Sequence, residues 1–219
     1  MNKPVIVIVG MGPGIASAVA RHFGREGFHI AMIARSKDKL TGHEHALREA
    51  GIDASYAVAD AGDPEALSRA LGTLEAASGG ATVLLYNAAH IKWKNLLEET
   101  AQSLVEDFKV NVAGALTAVR AVLPAMRLAE RGTILLTSSM FATRPVAQFG
   151  SLSIGKAGIR SMAYSIAEAL KSTNIHVATI TVQGQVRPDD PHRSPQAIAE
   201  ACWHLYVQKR GAFATEVDC

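Results

Sequence analysis

The stretch Val5-Ile6-Val7-Ile8-Val9-Gly10-Met11-Gly12-Pro13-Gly14-Ile15-Ala16 decides how the rest of the chain is read. Its first five residues are β-branched and apolar throughout, the composition of a strand covered on both faces. Glycines then break the strand and a helical pattern follows. Parallel strands require crossovers, so this unit should recur, and it does. Strands are expected at 5–9, 29–34, 54–59, 82–86, 133–137 and 177–182, with a short last one near 213–217. Helices fit 15–26, 37–50, 64–77, 101–128, 153–172 and 195–208. Gly27 and Gly51 close the first two helices, and Ser194-Pro195 opens the last. The alternation predicts an α/β fold: a single doubly wound Rossmann domain over 1–219, its parallel sheet of about six to seven strands covered by helices on both faces.

Bulk properties exclude several classes. With 48% hydrophobic and 19% charged residues, a net charge of +2 and no long basic run, nucleic acid is not an expected partner. Lys92-Trp93-Lys94 is expected to be a solvated loop. Cys202 and Cys219 form neither a CxxC pair nor a metal-ligand spacing, so free thiols and a reducing cytoplasm are expected, with no metal. The apolar start is too short to cross a bilayer, and no membrane partner is expected.

The glycine-rich turn points to a dinucleotide. Glycines allow the bend and let backbone approach a pyrophosphate, which rests on the following helix N-terminus. Gly10, Gly12, Gly14 and Ile15 are the residues concerned, although Ile15 occupies the third glycine position of G-x-G-x-x-G. After the second strand, Arg35-Ser36 replaces the acid that would hold a ribose 2′-hydroxyl. A guanidinium there suits a 2′-phosphate, so NADP(H) is favoured over NAD(H).

These motifs, in this order, resemble the short-chain dehydrogenase/reductase family from about 5 to 217. The turn is similar to its G-x-x-x-G-x-G through Gly10 and Gly14, with Ala16 at the third glycine. Asp60 resembles the acid that contacts the adenine edge. Asn87-Ala88-Ala89 resembles the end of Asn-Asn-Ala-Gly, with Tyr86 and Ala89 departing from it. The resemblance implies that Asn111 distorts its helix and orders a water toward Lys156. It implies that Ser139 donates to the substrate oxygen, and that Lys156 binds the nicotinamide ribose and lowers the pKa of the catalytic acid. It also implies a homodimer or homotetramer packed through the helices carrying Asn111 and Lys156, where Ala157 and Gly158 would permit close approach.

The acid itself is missing. The family has Tyr-x-x-x-Lys, and here Leu152 precedes Lys156 by four residues, one turn up the same helix face. A methyl group neither moves a proton nor hydrogen-bonds a carbonyl oxygen. Phe149 stands seven residues before the lysine, and Tyr164 lies about two turns beyond it. Two stand-ins remain: His90, after the fourth strand, and Ser153, whose hydroxyl is short and weakly acidic. Gln183-Gly184 replaces the family's Pro-Gly, and 185–194 is short, leaving the nicotinamide end open to water.

Two functions follow. One is an NADP(H)-dependent oxidoreductase acting on a small carbonyl or alcohol substrate, with Ser139 orienting the oxygen and His90, or a water near Lys156, supplying the proton. The other is a catalytically degenerate NADP(H)-binding sensor or partner subunit. A hydrolase is disfavoured, because Ser151-Leu152-Ser153-Ile154-Gly155 lacks the first glycine of G-x-S-x-G.

Overall fold

The computed structural model describes residues 3–219. The strands are β1 (Val5–Val9), β2 (His29–Ala34), β3 (Ala54–Val58), β4 (Val83–Tyr86), β5 (Gly132–Ser139), β6 (Ile175–Val182) and β7 (Glu216–Asp218). Helices α1 (Ile15–Arg25), α2 (Lys37–Glu49), α3 (Pro64–Ser78), α4 (Ala101–Phe108), α5 (Gly114–Leu128), α6 (Gly150–Leu170) and α7 (Pro195–Tyr206) connect them. All seven strands run parallel in one sheet, in the order β3-β2-β1-β4-β5-β6-β7. The order reverses between β1 and β4. In an open α/β sheet, the crevice beyond the strand ends at that point is where ligands bind.

The two-residue period of the strands divides the core. Val5, Val7 and Val9 pack with Leu67 of α3, Val119 of α5 and Ile159 of α6. Ile6 and Ile8 face the other way, toward Val19 and Phe23 of α1, Leu40 of α2 and Ile198 of α7. Both faces are buried, so β1 tolerates no polar residue.

Three predicted elements differ. The helix expected at 101–128 is interrupted by a π-helical turn, Lys109–Ala113. The Tyr86 hydroxyl donates to the Val110 carbonyl at 2.5 Å, taking an acceptor from the α-helical ladder. Next to it, a side chain at Gly114 would collide with the Ala61 carbonyl, 2.1 Å from an added Cβ. By length and composition, Ala101–Leu128 could cross a membrane, but Ala115, Ala118, Val122 and Met126 are buried in the core. Helix α6 starts at Gly150 rather than 153, because the Phe149 carbonyl accepts both the amide (2.8 Å) and the hydroxyl (2.9 Å) of Ser153. The last strand falls on Glu216–Asp218 rather than 213–217.

Strand β7 is short, and beside its ladder to β6 it is held by one carboxylate. Glu216 accepts from Arg160 Nε (2.9 Å), Tyr164 Oη (2.9 Å) and Thr181 Oγ1 (2.6 Å). Tyr164 is thereby committed to the sheet edge. The Arg160 hydrogen bonds hold Glu216 below the usual carboxylate range. Its native pKa lies below its unfolded one, so the stabilisation is present above about pH 4.5 and lost as pH falls through the native value. Glu216→Gln is expected to cost about 2 kcal/mol at pH 7 in urea unfolding. The loss should shrink below about pH 4.

Candidate functional site

At the end of β1, Gly10 adopts φ 89°. Its amide and that of Met11 both donate to the Ile33 carbonyl, at 2.9 and 3.1 Å. An added Cβ would lie 2.3 Å from the Ala88 nitrogen, so the turn after β1 touches the chain after β4 and only glycine fits. Asn87 Nδ2 ties the same two segments, donating to the Gly10 carbonyl at 3.2 Å. Gly12 and Gly14 instead face open space. Helix α1 starts after Gly14 with no side-chain cap, so no side chain claims its first amides. Gly10→Ala is expected to lower stability by about 2 kcal/mol or more in thermal unfolding, from left-handed strain and the backbone clash.

Beside this turn, a cleft of about 230 Å³ is lined by Gly10, Met11, Arg35, Asp60, Asn87, Ala88 and His90. Asp60 Oδ1 accepts from the Gly62 amide at 2.8 Å. Arg35 is exposed and forms no ion pair among the described residues. Ser36 caps α2 through the Lys39 amide at 3.4 Å and does not line the cleft. Gly12, Gly14 and Ile15 also lie outside its lining, in the turn that leads to α1.

The second half of the site lies along α6. Lys156 is buried, and its Nζ donates to the Thr137 carbonyl at 2.8 Å. Burial lowers its pKa to about 8. Ser139, at the end of β5, accepts from the Phe141 amide at 3.3 Å, which leaves its hydroxyl hydrogen free to donate. Ser138 turns to the Lys156 carbonyl. Asn111 sits in the π-helical turn and clasps the backbone of His90: its Oδ1 accepts from the His90 amide at 2.6 Å and its Nδ2 donates to the His90 carbonyl at 3.3 Å. Gly155 permits this, since an added Cβ would lie 2.6 Å from Asn111 Cβ. Leu152 is 4% exposed, in the first turn of α6. Of the two stand-ins for an acid, Ser153 gives its hydroxyl to its own helix. His90 remains.

A buried carboxylate that sequence reasoning missed joins these parts. Asp107, at the end of α4, has a side chain with no exposure, 2.7 Å from His90 Nδ1 and 2.8 Å from Lys92 Nζ. The Ser151 hydroxyl, next to Leu152, also contacts it. Burial alone would raise the carboxyl's pKa. Contacts from Lys92 and Ser151, with the charges of Lys92 and His90, outweigh that and hold it below the usual range. The expectation of a solvated 92–94 loop is therefore corrected. Lys92 turns inward to Asp107, Lys94 lies 3.7 Å from the buried Glu99, and Trp93 alone is strongly exposed, resting edge-on against Phe149 at 4.9 Å. The usable signal was position: Asp107 stands one turn before Asn111, on the same helix face.

Residues 4–188 match the family model described as short chain dehydrogenase. The chain belongs to the short-chain dehydrogenase family. It is 28% identical over 179 residues to a 3-dehydrosphinganine reductase of Arabidopsis thaliana, covering 80% of this chain and 53% of that one. It is 24% identical over 178 residues to dehydrogenase/reductase SDR family member 4 of Sus scrofa, covering 81% and 64% respectively. The match thus spans about half of the first relative and just under two thirds of the second. Among solved structures, a metagenomic short-chain oxidoreductase in complex with NADP superposes with a TM-score of 0.90 at 28% identity, covering 100% of this chain and 97% of that one.

Within this short-chain dehydrogenase, the connection after β6 is compact. Gln183 accepts from Arg144 at 2.8 Å and donates to Asp218 at 2.8 Å, tying the loop before α6 to the C-terminal strand. Asp190 pairs with Arg193, whose hydrogen bonds lower the carboxyl to a pKa of about 2. Arg193 in turn packs over Gly184, with Nη1 2.5 Å from an added Cβ. Gly158 lies 2.9 Å, measured from an added Cβ, from Val112 Cγ2, so it makes room within the chain; Ala157 and Ile154 face outward.

Proposed function

We propose that this short-chain dehydrogenase is an NADP(H)-dependent oxidoreductase acting on a small carbonyl or alcohol substrate, with His90 as its proton donor. The observation that carries this reading is the 2.7 Å approach of His90 Nδ1 to the buried Asp107, with Leu152 standing where the family has its acid. The residues present fit the cofactor. Gly12, Gly14 and the uncapped start of α1 offer a cradle for the pyrophosphate, Asp60 for the adenine edge, and Arg35 for a 2′-phosphate. Lys156 would hold the nicotinamide ribose. The solved relative with NADP bound supports the same assignment.

When bound, NADPH supplies the hydride that the carbonyl carbon accepts. The chain supplies the rest. Ser139 donates its free hydroxyl hydrogen to the substrate oxygen and orients the carbonyl. The oxygen takes a proton from Nε2 of the His90 imidazolium as the C=O π bond breaks, leaving a neutral ring beside Asp107. In the oxidative direction the neutral ring accepts that proton. Asn111 keeps His90 in place from its backbone.

One observation favours a second reading, a non-catalytic NADP(H)-binding sensor or partner subunit: the position of the missing acid is filled by a buried aliphatic chain. NADPH oxidation with a broad carbonyl panel separates the two. Turnover supports the oxidoreductase, whereas nucleotide binding without turnover supports the sensor. A homo-oligomer is proposed as well, because Val105, Phe108, Leu116 and Ile154 are exposed along α4, α5 and α6. The free thiols at Cys202 and Cys219 suit a reducing, cytoplasmic setting.

A further inference from the structure

We infer that the aromatic row Phe141, Phe149 and Trp93 sets the specificity of this site and selects a carbonyl that carries an aryl group, an inference that rests on the oxidoreductase reading. The row joins the two groups proposed to meet the substrate oxygen. At one end the Phe141 amide donates to Ser139 Oγ at 3.3 Å. The Phe141 ring stacks on Phe149, with 5.1 Å between centroids and 24° between planes. Phe149 then meets Trp93 edge to face, at 4.9 Å and 83°. At the other end, Trp93 follows His90 by three residues. A ketone whose oxygen lies between Ser139 and His90 holds one substituent against this row.

The segment that carries Trp93 is built inside out. Lys92 and Lys94 turn inward, to the buried Asp107 and Glu99, while the alternate residues Ile91 and Trp93 are 65% and 76% exposed. An indole left in water forgoes the stabilisation its large apolar surface would give if covered. The loop does not need Trp93 as a fastener. Backbone bonds already tie it to the segment before α6, from the Lys94 amide to the Gln148 carbonyl at 2.8 Å and from the Leu96 amide to the Ala147 carbonyl at 3.0 Å. Leu96 also packs on Gly150, with its Cβ 2.5 Å from an added Cβ there. The cations of both loops are taken up: Lys92 and Lys94 by carboxylates, and Arg144 by Gln183 Oε1 at 2.8 Å. The surface left is aromatic and uncharged, which suits a flat neutral ring and not a carboxylate or phosphate. Perpendicular indole and phenyl rings form a corner where a third ring packs its face on one wall and its edge on the other.

The test sets acetophenone against its ring-saturated counterpart, cyclohexyl methyl ketone, on the full-length protein. One readout is the ratio of their kcat/KM values with NADPH, compared between wild type and Trp93 variants so that the intrinsic reactivity of each ketone cancels. The other is the Trp93 indole N–H signal in the NADP⁺ complex, assigned by its loss in Trp93→Phe. Acetophenone is expected to move that signal at concentrations where cyclohexyl methyl ketone leaves it in place. Trp93→Ala should lower the ratio by about three- to tenfold, mainly through the KM for acetophenone, and Trp93→Phe should restore most of it. An unchanged ratio overturns the inference, and so does an indole signal that acetophenone does not move, even where other carbonyls are reduced and the oxidoreductase reading stands. A signal that follows protein concentration and not acetophenone assigns Trp93 to contact between copies and overturns it equally. If acetophenone moves the signal but neither ketone is reduced, the row stands as an aryl-binding surface and only the oxidoreductase reading falls.

Discussion

His90→Gln is expected to lower kcat for NADPH-dependent carbonyl reduction by about 10²–10⁴-fold, the range ascribed to a positioned general acid. Glutamine can still reach Asp107 with its amide and fill part of the imidazole's volume, so the backbone clasp by Asn111 should survive. What it cannot do is release a proton at neutral pH. The effect should fall on kcat, with the dissociation constant for NADPH changed less than about threefold, because the proposed contacts of the nucleotide are made by Gly12, Gly14, Arg35 and Asp60 and not by the imidazole. Stopped-flow reduction and fluorescence titration of NADPH measure the two quantities separately. A loss confined to nucleotide binding would instead place His90 among the cofactor contacts.

The second large effect concerns Lys156, where stability and function should part. Its ammonium is buried with one carbonyl for company, and its pKa falls from 10.5 to about 8. Because the native pKa lies below the unfolded one, the native state carries an energetic cost that is complete below about pH 8. That cost is relieved as pH rises toward 10.5. The difference corresponds to about 3 kcal/mol. Lys156→Met removes the charge and keeps most of the aliphatic stem, so it is expected to raise apo-protein stability by roughly 1–3 kcal/mol at pH 7. The gain should fade above about pH 10. The same variant should bind NADP(H) at least tenfold more weakly and lose turnover, as stabilised active-site variants commonly do. Urea unfolding at pH 7 and pH 10, with nucleotide titration, reads both sides. A variant less stable than wild type at pH 7 would show that the Thr137 contact outweighs the burial of the charge.

How far the sequence could be read depended on the range of the interaction. Val5–Val9, its glycines and the alternation that follows are local patterns, and six of the seven strands fall within two residues of their expected ends. The last strand does not, because its position is set by Glu216 reaching Arg160, Tyr164 and Thr181 from distant segments. The break at Lys109–Ala113 was implied at Asn111 by resemblance. Its other cause, the Tyr86 hydroxyl on the Val110 carbonyl, bridges residues 24 positions apart and leaves no local signature. Ser139, Lys156 and Asn111 could be placed by spacing; Asp107 stands one turn before Asn111, but nothing local marks it as buried. An aspartate in a helix ordinarily reads as solvated surface. Only the packing of α4 against α6 and the 90–92 loop buries it between His90, Lys92 and Ser151. Lys92 and Lys94 were misread for the same reason: the carboxylates that turn them inward are remote in sequence.

A crystal structure of the NADP⁺ complex tests the central claim most directly, through the position of His90 Nε2 relative to the nicotinamide ring. Nε2 is expected within about 3 Å of a substrate oxygen or ordered water placed above the ring, with Nδ1 still beside Asp107. An Nε2 that points away from the nicotinamide, with Leu152 and Phe149 filling the space above it, would contradict His90 as the proton donor.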